Sequence, residues 1–177
     1  MSPAAVEQYA DLGMRMYKLH RARGMTPQQA AAWAANAAAE SHGDYRLPQD
    51  GGPGYGLFMW EGPRQRTFQE QFGHPIQQST EAEQLAFRDW ELSHTYGWAA
   101  RRIPRMSSAG DIAAAIAHHF EHPADWEHAM WDRSNIAEAI MRRAMSMPDG
   151  LNTNSAPGGA GQQRQGILGR RIGPIRD

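Results

Sequence analysis

The sequence contains no cysteine. Disulfides, a thiolate nucleophile and a Cys-ligated zinc site are excluded by that alone. Long apolar runs are missing as well. None approaches the roughly 20 residues that a bilayer-spanning helix needs, so membrane insertion is not expected. The opening stretch MSPAAVEQYADLG has no basic segment leading into an apolar one. The expectation is that a target outside the cytoplasm is reached by some route other than ordinary secretion. Nor does one sign of charge prevail: Lys and Arg number 18 and Asp and Glu 19, for a net charge of -1 and a pI near 6.7. That balance gives no pull toward nucleic acid or anionic membranes.

What is present fits a globular chain of one domain with an appendage: 177 residues, 41% hydrophobic and 21% charged. A mean hydropathy of -0.68 implies a modest core. Helical signals dominate. Val6, Tyr9, Gly13, Met16 and His20 share one stripe over residues 4–22. Thr26-Pro27-Gln28-Gln29 has the form of a capping box opening a helix that runs to about Ser41, and Thr80–Glu83 has the form of a second. Pro63 starts a short helix with Phe68 and Phe72. Ser108 leads into Ile112, Ile116 and Phe120, stopped by Pro123, and a last helix carries Ile136, Ile140 and Ala144.

Residues 42–62 hold six glycines and read as a loop with a short hairpin around Tyr55–Trp60. The fold class is mainly α, with a small β-hairpin and loop lobe. Trp90, Trp98, Trp126 and Trp131 are expected in the core. Arg101, Arg102 and Arg105 are expected on a solvated face. From Pro148 the composition turns to Gly, Asn and Gln without aromatics. Residues 1–147 are read as the folded domain and 148–177 as an extended, flexible Gly-rich tail. Ile167, Leu168, Ile172 and Ile175, set among arginines, make residues 149–177 a candidate docking segment.

The stretch AAAESHGDY ends an alanine helix with an acid, Glu40. Trp33, Ala37 and Glu40 fall at i, i+4 and i+7, so the carboxylate continues an apolar stripe. It also sits in the last turn, where the macrodipole disfavours negative charge. Burial and dipole together favour the protonated form, which a general acid requires. The following GGPGYGLFMW supplies glycine backbone and the aromatics Tyr55, Phe58 and Trp60, which suit a sugar surface.

AAAES, YGLFMWEGPRQRTF and HHFEHP, in that order, resemble the phage tail-type lysozymes. These lie within the lysozyme-like superfamily, beside goose-type lysozymes and lytic transglycosylases. The resemblance spans roughly residues 25–145 and implies an α+β lysozyme-like domain. It implies a glycosidase that cleaves the β-1,4 bond between N-acetylmuramic acid and N-acetylglucosamine in peptidoglycan, with no cofactor and no metal. Glu40 would be the catalytic acid, and Ser41, Tyr55, Gly56, Phe58 and Trp60 would bind substrate. Of the nearby carboxylates Asp44, Asp50 and Glu61, Glu61 beside Trp60 ranks first as the second catalytic group. The implied location is the phage tail of a virion, acting on the host periplasm and cell wall during genome ejection. The implied partners are glycan strands and, through residues 149–177, other virion proteins.

Three residues depart from the family pattern. Met59 stands where Gln is usual, His42 intrudes after Ser41, and His122 replaces an Arg. A catalytically silent tail or hub component that kept the fold is therefore the alternative reading. A third rests on His118, Glu121 and His122, which have the H-x-x-E-H spacing of an inverted zinc-peptidase motif. Against it, Pro123 biases His122 out of helical geometry. The simpler reading puts Phe120 in the core and has Glu121 pair with a nearby arginine or bond loop backbone.

Overall fold

The computed structural model describes residues 1–121 and 123–147, less the side chain of Trp98. The segment read as a tail, 148–177, lies outside the described residues, as does His122. Among the described residues there are seven α-helices and no β-strand: α1 (Pro3–Ala22), α2 (Pro27–Ser41), α3 (Pro63–Phe72), α4 (Glu81–His94), α5 (Gly97–Arg102), α6 (Ala109–Ile116) and α7 (Trp126–Ser146).

The alanine-rich α2 is the central element, packed against α1, α6 and α7. A helix that is apolar on every face belongs inside. Seven of its alanines, Ala30, Ala31, Ala32, Ala34, Ala35, Ala37 and Ala38, have no exposed surface. Their small side chains let three neighbours approach closely. Gly13 on α1 serves the same packing, since a Cβ there would fall 2.6 Å from Ile140 Cδ1. The only aromatic side chain in α2, Trp33, meets Phe58 and Phe120 edge-on, with ring centroids 5.4 and 5.2 Å away. Truncating such a buried aromatic costs about 3–5 kcal/mol.

Both capping boxes form. The Gln29 amide donates to Thr26 Oγ1 at 3.2 Å, and the Thr26 amide donates back to Gln29 Oε1 at 3.3 Å. Thr80 and Glu83 repeat the exchange at the head of α4. Ser108 Oγ accepts from the Asp111 amide at the start of α6.

Three sequence expectations are corrected. The β-hairpin is reduced to isolated bridges that pair Pro48 with Tyr55 and Tyr55 with Trp60. Gly56 (φ +80°) and Met59 (φ +44°) turn the chain back between the paired residues, and Pro48 has no amide to extend a ladder. The helix from Ser108 ends at Ile116 and passes into a π-helical turn, Ala117–Glu121. Trp126 and Trp131, expected in the core, are 44% and 68% exposed on α7. The six-residue α5 has too little length to show periodicity, and it was not anticipated. Arg101, Arg102 and Arg105 do lie on an exposed face.

Candidate functional site

Glu40 occupies the last turn of α2, and the helix ends in a tight left-handed cap. His42 adopts φ +54° and ψ 20°, and its amide donates to Ala38 O at 2.9 Å. The Gly43 amide reaches further back, to Ala37 O at 3.1 Å. The His42 bond, from the left-handed residue to the carbonyl four positions back, is that of an αL cap, usually made with Gly at this position. His42 is thus a backbone device at the helix end, exposed and near the ring of Tyr9. Arg15 of α1 clamps the same corner: it donates to Gly43 O and pairs with Glu81 of α4 at 2.7 Å.

The loop that follows is braced from beneath. Ser41 is fully buried; its hydroxyl lies 3.1 Å from both Ala37 O and Leu57 O, tying α2 to the loop. Gln84, also fully buried, accepts from the Leu57 amide at 3.0 Å and donates to Tyr45 O at 2.8 Å. Gly56 is required here: a Cβ would fall 2.4 Å from Gln84 Oε1, and the φ of +80° is itself unfavourable for other residues.

Phe58 and Trp60 are 2% and 0% exposed. In this fold they shape the loop from inside and present no ring face to a ligand. Trp60 Nε1 donates to Glu91 Oε2 at 2.8 Å. Glu91, itself 3% exposed, is held by Arg64 in a bidentate pair at 2.7 and 2.7 Å. Arg64 also donates to Phe120 O at 3.2 Å and lies over the Phe120 ring. The loop, α3, α4 and the π-helical turn are thereby joined through one buried carboxylate.

The Glu40 side chain is 18% exposed, so it is only partly closed off from solvent. Across from it stands Arg133 of α7, whose Nη2 lies 2.6 Å from Glu40 Oε1. The same guanidinium faces a second carboxyl: Arg133 Nε is 3.9 Å from Glu121 Oε2. The Glu121 side chain is 3% exposed. Both its oxygens and Arg133 Nε are buried without a hydrogen-bond partner. Burial first, and then the neighbouring Glu40 charge, hold the Glu121 carboxyl well above the usual carboxylate range, against the opposing pull of Arg133 and Arg64. The site is therefore two carboxyls about one guanidinium, one carboxyl partly enclosed and one enclosed.

Of the residues singled out in the sequence, Glu40 is partly open, Tyr55 half-buried, and Gly56, Ser41, Phe58 and Trp60 buried. Glu61 is exposed at the entrance to α3. Of the three residues in the zinc reading, His122 lies outside the described residues and the other two have different surroundings. Glu121 turns inward to Arg133, whereas His118 lies with His119 and Trp126 along a surface groove of about 400 Å³. No cluster of three or more His, Asp or Glu that could hold a metal occurs among the described residues.

The sequence reading missed Arg133, Arg64, Gln84 and Glu91. A signal for three of them exists. Arg133 heads the stripe of Ala137, Ile140 and Ala144 on α7. Gln84, Arg88 and Glu91 share one face of α4 at i, i+4 and i+7, polar residues at the spacing of a buried stripe.

Residues 13–143, well over half of the chain, match the model of a protein family described as phage tail lysozyme. No curated protein and no solved structure matches the chain.

Proposed function

The chain belongs to the phage tail lysozyme family, and from that premise we propose that it is a virion-associated peptidoglycan glycosidase. Its target is the β-1,4 bond between N-acetylmuramic acid and N-acetylglucosamine, opened as the phage genome is ejected through the cell wall. The observation that carries the reading is Glu40: a partly exposed acidic side chain at the end of the central buried helix, with one guanidinium set against it.

In this proposal Glu40 protonates the glycosidic oxygen as positive charge builds on the sugar ring. Once the proton has left, Arg133 at 2.6 Å stabilises the carboxylate that remains. Glu61, exposed where the loop enters α3, is proposed to position the attacking water. Tyr55 and the backbone at Gly56 are proposed to border the glycan. Ser41, Phe58 and Trp60 contribute by holding that loop in place. No step calls for a cofactor or metal.

Digestion of purified peptidoglycan followed by mass spectrometry of the fragments tests the reaction. Cleavage at the muramic acid C1 bond supports it, and the reducing or anhydro end of the fragments identifies the second step. Fragments cut in the peptide stems alone would refute it.

A second reading, a silent tail component, is favoured by one observation: Glu40 is ion-paired, and an acid in that state has no proton to give. It predicts no glycan cleavage by the wild-type chain. Residues 149–177 are proposed to hold the domain to other virion proteins. Deleting them should leave wall cleavage intact and abolish particle incorporation.

A further inference from the structure

Arg133 faces two carboxyls but bonds only one of them. Its Nη2 is on Glu40, while its Nε has no hydrogen-bond partner and points across 3.9 Å to a carboxyl oxygen of Glu121 that has none either. Buried polar groups left unmade in this way are costly and uncommon. Here the unmade donor and one of the two unmade Glu121 oxygens belong to neighbouring side chains 3.9 Å apart.

We propose that Glu121 is a positioning residue for Glu40, acting through Arg133 as the alternative carboxyl that the guanidinium grips when Glu40 must be neutral. The proposal rests on the reading of Glu40 as the acid.

In the resting arrangement Glu40 is the carboxylate bound to Arg133, and the enclosed Glu121 carries the proton. In the reactive arrangement Arg133 turns to Glu121, which becomes the carboxylate, and Glu40 is the protonated partner. One proton and one negative charge exchange places, so the net charge of the three groups is unchanged. The charged groups facing Glu121 are Glu40 from α2, Arg133 from α7 and Arg64 from α3. Arg64 is already committed to Glu91 through two 2.7 Å contacts, which leaves Arg133 as the cation that can move between the two carboxyls. The π-helical turn Ala117–Glu121 is what delivers this carboxyl inward, beside Phe120 in the core.

The test compares wild type, Glu121→Gln and Glu40→Gln in lysis kinetics across pH, with thermal melts to establish folding. In Glu121→Gln the guanidinium has no second anion to hold and stays on Glu40. The expected result is a kcat lower by about tenfold with KM nearly unchanged, and the alkaline limb of the pH profile moved to lower pH by about one unit. A folded Glu121→Gln with the wild-type kcat and profile would overturn the inference while leaving Glu40 as the acid. Full lysis by Glu40→Gln would remove both.

Carboxyl-carbon NMR gives a readout that needs no activity and no Glu121 variant. If the two carboxyls share a proton, removing the Glu40 charge lowers the pH at which Glu121 titrates. An unchanged Glu121 titration in Glu40→Gln would overturn the inference.

Discussion

Arg133 Nη2 lies 2.6 Å from Glu40 Oε1, joining α2 to α7 across 93 residues of sequence. Arg133 is 12% exposed and Glu40 18%, so the pair is largely desolvated and only partly screened by water. The guanidinium is also the counter-charge nearest the enclosed Glu121.

Arg133→Met should therefore destabilise the fold by about 3 kcal/mol, because it leaves one carboxyl enclosed and another partly enclosed without a cation. Urea unfolding at neutral pH measures this. Arg133→Lys, which keeps the charge but loses the planar fork, should recover only part of the loss. A near-neutral Arg133→Met would mean that the carboxyls find another partner.

The second buried carboxylate, Glu91, holds Arg64 bidentately and accepts from Trp60 Nε1. Glu91→Ala should cost about 3 kcal/mol by stranding both partners. Glu91→Gln, which still offers an acceptor to Trp60, should cost less. Indole fluorescence and thermal melts of the two variants separate these contributions.

His42 adopts a left-handed backbone at the end of α2, a conformation that costs roughly 1–2 kcal/mol for a residue with a Cβ. His42→Gly should raise stability by about 1 kcal/mol despite losing the Tyr9 contact. A lower melting temperature would show that the ring contact outweighs the backbone strain.

His20 is fully buried, with Nε2 unpartnered and Nδ1 3.5 Å from Arg88 Nη1. Burial first, then Arg88, Arg23 and Arg15, push its pKa well below 6.5. The folded state keeps His20 neutral while the unfolded chain takes up a proton below 6.5. The sign is thus a loss of stability as pH falls through that value, by at most about 1.4 kcal/mol per pH unit. Glu121 works oppositely. Its folded pKa is raised above 4.5, so its contribution is present below 4.5 and lost as pH rises through the folded value. Melts of wild type and His20→Gln between pH 7.5 and 5 should show a flatter acid side in the variant.

Local chemistry made much of the helical framework legible in the sequence. The Thr26 and Thr80 capping boxes, with Pro27 at the first helical position, mark helix starts where the backbone begins to turn. The Trp33–Ala37–Glu40 stripe likewise places the acid at the rim of the core. What stayed hidden depends on groups distant in sequence. The stripe on α7 marks Arg133 as inward-facing, but its partner Glu40 is fixed only when α7 lies along α2. Phe58 and Trp60 look like sugar platforms until α3, α4 and the π-helical turn close over them. The hairpin failed for a local reason: two positive-φ residues turn the chain before a ladder can grow. Trp131 failed for the converse one, since its position on α7 leaves a large apolar side chain outside.

Glu40 is the residue on which the proposed chemistry depends. The decisive measurement is the rate of turbidity loss of purified cell walls for wild type and Glu40→Gln, with both proteins shown to be folded. The expected result is lysis by wild type and a rate lower by about 10² or more in Glu40→Gln, the scale of a lost general acid. Equal lysis by the two proteins, or none by the wild type, would contradict it.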